Sequence, residues 1–243
     1  MKIDGILRFV IERVGQIGWL LVLLSLQSGV ALANHQVDEI EAALSEEVAD
    51  QVAQRLGEPL SEEDQAYAYF LMAAYRHDPS AREKAEALYE GLNTADSLAF
   101  LGSLEMLKAR DLEGGLFQLF KRKRWVQKGI EKIDAAADTY PDNLKVRIVR
   151  AISYLGLPAL FGKFEEGFAD INRILREMEA GTVSVPEEEP FFRDRASLYY
   201  YAGRYYLRKG EKKKAGEMFS KAAGSALPTP FAAASRKRIS GLS

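Results

Sequence analysis

Cysteine is absent from the 243 residues, which excludes disulfides, thiolate metal sites, cysteine nucleophiles and a lipidated N-terminal cysteine. Histidine is scarce, with only His35 and His77 present. A histidine-rich metal centre is therefore not expected, and both residues read as incidental or structural. A surplus of charge is missing too. Lys+Arg number 33 against 35 Asp+Glu, a formal charge of −2, whereas a dedicated nucleic-acid binder carries a basic excess. There is no G-x-S-x-G, no H-E-x-x-H and no glycine-rich phosphate loop, so neither an enzyme nor a cofactor is expected. No apolar run reaches the roughly 20 residues of a membrane-spanning helix, and no stretch alternates with period two. A hydrophobic fraction of 47% suits a packed globular chain of one large or two small domains.

Residues 1–33 read as a secretory signal. Lys2, Arg8 and Arg13 form a positive start, Trp19–Leu26 is an apolar core, and Gln27, Ser28 and Gly29 interrupt it before Ala31-Leu32-Ala33, a small-x-small cleavage pattern. Cleavage after Ala33 would place residues 34–243 in a bacterial periplasm. The rival reading is a membrane anchor; a further one retains the segment as a membrane-surface helix, because Ile3, Ile6, Leu7, Val10, Ile11 and Val14 have helical spacing.

Everything after Ala33 has the period of amphipathic helices. Val37, Ile40, Leu44, Val48 and Val52 share one face of a first helix, which Gly57 and Pro59 end. Ser61 opens a second and Pro79-Ser80 a third, with further helices expected over 93–107, 125–139, 144–155, 164–178, 192–208 and 212–223. Residues 180–190 read as a loop whose Glu187-Glu188-Glu189 run is solvated. The chain divides into a helical segment at 34–94, a repeat region at 95–228 and a tail at 229–243 expected to fray at its end. Charge is polarised: residues 34–80 hold 11 acids and 2 bases, and residues 81–243 hold 22 acids and 28 bases. The predicted fold is all-α, an α-solenoid of stacked helix pairs.

The last pair resembles a tetratricopeptide repeat. Tyr199, Ala202-Gly203 and Tyr206 stand where that family has its large, small and aromatic residues on the first helix. Gly210 marks the turn, and Ala215, Phe219 and Ala222 occupy the second helix. Two looser units follow the same pattern. One uses Leu98, Leu101-Gly102, Gly129, Ile133 and Ala136; the other uses Ala151, Tyr154, Gly162, Gly167, Ile171 and Ile174. Both carry extra residues between their helices. Inserted repeats of this kind look like the helical T-component of tripartite periplasmic transporters and the helical component of bacterial sterol trafficking. The resemblance implies a concave groove that holds a protein or ligand.

Turns of a soluble solenoid are normally polar, yet these two inserts are apolar. The first holds Leu116, Phe117, Leu119, Phe120 and Trp125 beside Lys121, Arg122, Lys123 and Arg124; the second holds Leu157, Leu160 and Phe161 beside Lys163. One reading is a hydrophobic ligand or membrane contact flanked by cations for an anionic head group. The other is that the inserts cap the core, with the cations solvated. Tyr200, Tyr201 and Tyr205, which the repeat pattern does not use, are candidates for a groove surface. Two functions follow: an envelope adaptor holding a protein partner in an open, polar groove, or a periplasmic carrier with an apolar cavity near residues 114–125 and 155–163. Neither involves nucleic acid.

Overall fold

The computed structural model describes residues 35–112, 116–187, 189, 191, 193–225 and 228–242; the signal-like residues 1–33 lie outside this set. The described residues form ten α-helices, one 3-10 turn and no strand. They are α1 (His35–Arg55), α2 (Glu62–Arg76), α3 (Pro79–Leu92), α4 (Ala95–Asp111) and α5 (Leu116–Thr139), followed by α6 (Leu144–Leu155), α7 (Phe164–Glu179), α8 (Arg195–Arg208), α9 (Lys212–Ala223) and α10 (Pro230–Ser240). The 3-10 turn is Ala159–Phe161. Residues from Ala43 onward form one compact unit. Within the described set no helix is long and apolar enough to cross a membrane.

Local chemistry sets the boundaries. Ser61, Asp78, Asn143, Asp194 and Thr229 each accept a backbone N–H of the helix that follows, satisfying donors that have no partner inside the helix. Pro79 and Pro230 occupy first-turn positions, where a missing N–H costs nothing.

The helices pack in antiparallel neighbours: α2 with α3, α4 with α5, α6 with α7 and α8 with α9. The first helices also lie side by side, α4 between α2 and α6, then α8 between α6 and α10. The second helices have no comparable mutual contact, so the first helices form the tighter, inner layer of a solenoid-like stack.

Glycine sets how closely the paired helices cross. A Cβ on Gly102 of α4 would sit 2.6 Å from the Gly129 carbonyl of α5, and one on Gly129 would sit 2.5 Å from the Gly102 carbonyl. In the last pair, the Phe219 ring of α9 packs on Gly203 of α8, 2.6 Å from where a Cβ would lie. These are the residues that carry the repeat pattern in the sequence.

Two expectations need correction. The segment before Trp125 is no loop, since α5 begins at Leu116. Leu116–Arg124 adds over two turns to its N-terminus, because none of these residues breaks a helix. The tail does not fray either. Thr229 and Pro230 start α10, whose Phe231 and Ala232 are buried and which covers the exposed side of the last pair.

Candidate functional site

A pocket of about 350 Å³ opens on the inner layer. Helical spacing builds its walls. Glu63, Tyr67 and Phe70 line it from α2, Phe100 and Ser103 from α4, and Lys145, Ile148, Val149 and Ile152 from α6. In each helix these positions recur at intervals of three or four residues (Lys145 to Ile148 to Ile152, with Val149 alongside) and therefore lie on one side of it. Tyr67, Phe70 and Phe100 pack ring against ring, with centroids 5.1–5.9 Å apart. Ile148 and Ile152 are half-buried and complete an apolar interior. The Ser103 and Ser153 hydroxyls, one on α4 and one on α6, hydrogen-bond to each other in the wall.

The fourth side is the connection between α7 and α8, which runs across the inner layer as a strap. Gly181, at φ 70°, turns the chain after α7. Val185 is buried, and Ser184, Val185 and Pro186 face the pocket. Arg195 of α8 holds this stretch by donating from Nε to the Val185 carbonyl (3.1 Å) and from its backbone N–H to the Pro186 carbonyl (3.1 Å). Further on, the Glu189 carboxylate accepts the backbone N–H groups of Phe191 and Arg193, both at 3.0 Å. Arg193 then pins the strap to α2: its guanidinium donates to Asp64 (2.8 Å) and Glu189 (2.6 Å) and lies 4.7 Å from the Tyr67 ring centroid. Tyr75 of α2 and Tyr201 of α8 add a hydroxyl contact across the same layer.

Charge is confined to the mouth. Lys145 bonds Glu63 and lies 3.9 Å from Asp96, while Arg193 joins Asp64 and Glu189. Burial alone would raise the Asp64 pKa, but hydrogen bonds from Ser61 and Arg193 outweigh it and hold the carboxyl below its usual range. Burial would lower the Arg193 pKa, and Glu189 and Asp64 outweigh that in turn, so the latch is ionised on both sides. The site is thus an apolar chamber with a rim of paired acids and bases.

The candidates chosen from sequence lie elsewhere. Leu157 is buried with Met106, Ile133 and Tyr154, and Phe161 packs on the same cluster with Val126 and Ile130 of α5. Leu157 and Phe161 of the second insert are thus packed against α5 and α6. Leu160 is half-buried beside it. Lys163 pairs with Asp134 (2.8 Å) and Glu166 (2.8 Å), which keep it charged against the effect of burial, so it is bound within this corner. Tyr200 and Tyr205 are fully buried and Tyr201 nearly so, which corrects their assignment to a groove surface. Tyr200 and Tyr201 pack on Phe231, and the Tyr205 hydroxyl donates to the Ala151 carbonyl at 2.5 Å. In the first insert Leu119 and Trp125 are half-buried and Phe120 is 72% exposed. The side chains of Leu116 and Phe117 lie outside the described set. Arg122 donates to the Leu112 carbonyl, and Lys121, Lys123 and Arg124 are exposed.

Glu189 is another correction. It organises the strap, whereas its neighbour Glu187 is exposed as expected and Glu188 lies outside the described residues. The pocket residues escaped sequence reading because Ile148 and Ile152 look like any apolar helix face. The usable signal was Val183 and Val185, two β-branched residues in a loop with no apparent reason to be apolar. Comparison with family models, characterised proteins and solved structures finds no match for this chain.

Proposed function

We propose that this chain is an exported, non-enzymatic binding protein of the bacterial envelope, built from tetratricopeptide-like helix pairs, that carries a small amphiphile in the inner-layer pocket. The strap supports a small ligand most directly. An adaptor needs its inner face open along its length to receive a peptide, and here the protein's own Val185, Pro186 and Arg193 lie across that face. What remains is a chamber of about 350 Å³, within the range of small-molecule sites. Its interior suits an acyl, prenyl or ring system and its rim suits a polar head. The repeat assignment rests on Gly102, Gly129, Gly203 and Phe219 at the helix crossings, and export rests on the apolar run and Ala31-Leu32-Ala33.

Native mass spectrometry of the purified protein, followed by organic extraction, tests the proposal. A bound amphiphile at stoichiometric yield is expected. Ile152→Trp, which fills the chamber from a half-buried position, should give folded protein without ligand. Empty wild-type protein, or equal loading of the variant, would refute the carrier.

A further inference from the structure

We infer that the projecting N-terminus of α5 is a docking surface for an anionic lipid bilayer. Four consecutive cations (Lys121, Arg122, Lys123 and Arg124) and no acid occur between residues 114 and 127, in a chain whose overall charge is −2. The first two turns of α5 extend past the glycine crossing at Gly129, by which the helix is fixed to α4. The extension is anchored through Arg122, whose guanidinium donates to the Leu112 carbonyl at the end of α4. Its outer face is not apolar core turned outward by accident. Phe120, Arg124 and Gln127 recur at helical spacing and all are exposed.

Phe120 stands at the tip with 72% of its surface exposed, the most of any large hydrophobic side chain described. Lys121 lies beside it, 4.8 Å over the half-buried Trp125 ring. A protruding aromatic ringed by exposed cations complements lipid phosphates with acyl chains beneath them, the pattern of interfacial helices. An acidic protein would use the cations and leave Phe120 without a role. This surface is separate from the inner-layer pocket, whose lining contains none of these residues, so it stands or falls independently of the carrier.

The test is co-sedimentation of the full chain with vesicles of phosphatidylcholine alone or of phosphatidylcholine mixed with phosphatidylglycerol, whose negative surface potential attracts basic segments. Wild type should favour the anionic vesicles, and added salt should erase the preference. Lys121→Gln with Arg124→Gln should lower binding to anionic vesicles about 25-fold, from about fivefold per cation, with little change on neutral ones. Phe120→Ala should lower binding to both about tenfold. All variants keep residues 1–33, so any contribution from that segment is constant. Unchanged binding of either variant, or equal wild-type binding to both vesicle types, would overturn the proposal. An effect of the cations without one of Phe120 would overturn it in favour of an acidic macromolecule.

Discussion

Replacing glycine by alanine in a helix interior ordinarily stabilises a protein by about 0.8–1.0 kcal/mol. At Gly102 the sign should reverse. The new Cβ would lie 2.6 Å from the Gly129 carbonyl oxygen and 2.7 Å from Ile133 Cγ1, where ordinary contact begins at 3.4 Å. The oxygen belongs to a helix backbone and cannot swing aside, so α4 and α5 would have to part by about 0.8 Å, a gap that forfeits a quarter to a half of the dispersion energy of facing atoms. Overpacking of this kind costs up to about 3 kcal/mol. Offset by the gain in propensity, the net loss is about 2 kcal/mol, a fall in Tm of roughly 4–8 °C for a body of this size. Gly216 of α9 is the control. Its Cβ would meet only Leu242 Cδ1, at 3.8 Å, so Gly216→Ala should show the ordinary stabilisation. Thermal unfolding followed by far-UV circular dichroism, with both variants and wild type in one buffer, decides the matter. If Gly102→Ala raised Tm as Gly216→Ala does, the close crossing of the second pair would be wrong.

Arg193→Ala should cost about 2 kcal/mol through loss of two charge-assisted hydrogen bonds. Hydrogen exchange should rise at the Arg195 amide, which donates to the Pro186 carbonyl, and bound ligand should be lost faster; unchanged exchange would show that the latch does not hold the strap. Glu105 supplies a pH prediction. It is buried on α4, a position that by itself raises a carboxyl pKa, but hydrogen bonds from Lys128 (2.7 Å) and Lys132 (3.1 Å) outweigh burial and leave the pKa lowered. A depressed folded-state pKa contributes stability that is whole above the unfolded value of about 4.3 and lost as pH falls through the folded one. Glu105→Gln should therefore destabilise by about 1–2 kcal/mol at pH 7, with the gap to wild type closing in acid. A gap that stayed constant down to pH 2 (about two units below the unfolded value) would remove the ionic explanation.

Much of the fold was legible because it rests on local signals. Ser61, Pro79 and Asn143 mark helix starts by chemistry that acts within a few residues. The glycines at 102, 129 and 203 announce close crossings because nothing larger fits. The start of α5 was missed since the residues between 107 and 125 read as an insert joining two helices, while Leu116–Arg124 has ordinary helix-forming residues. The pocket was missed for a different reason. It is made by residues as distant as Asp64 and Arg193, 129 positions apart, and periodicity reports which face of a helix is apolar but not what that face meets. The tyrosines at 200, 201 and 205 were misplaced because a phenol looks equally suited to water and to a core; the Ala151 carbonyl, which accepts from Tyr205, is visible only in three dimensions.

In an open array of helix pairs each unit feels its immediate neighbours alone, so ends fray and units can be gained or lost without disturbing the rest. Here Arg193 and the Tyr75–Tyr201 hydroxyls tie the opening pair to the segment entering the closing one. Such a hoop should melt in one step rather than from its tips. Its evolution is constrained as well: splicing in another pair would stretch the tie beyond reach, so change is confined to the rim, the hollow and the outward projections.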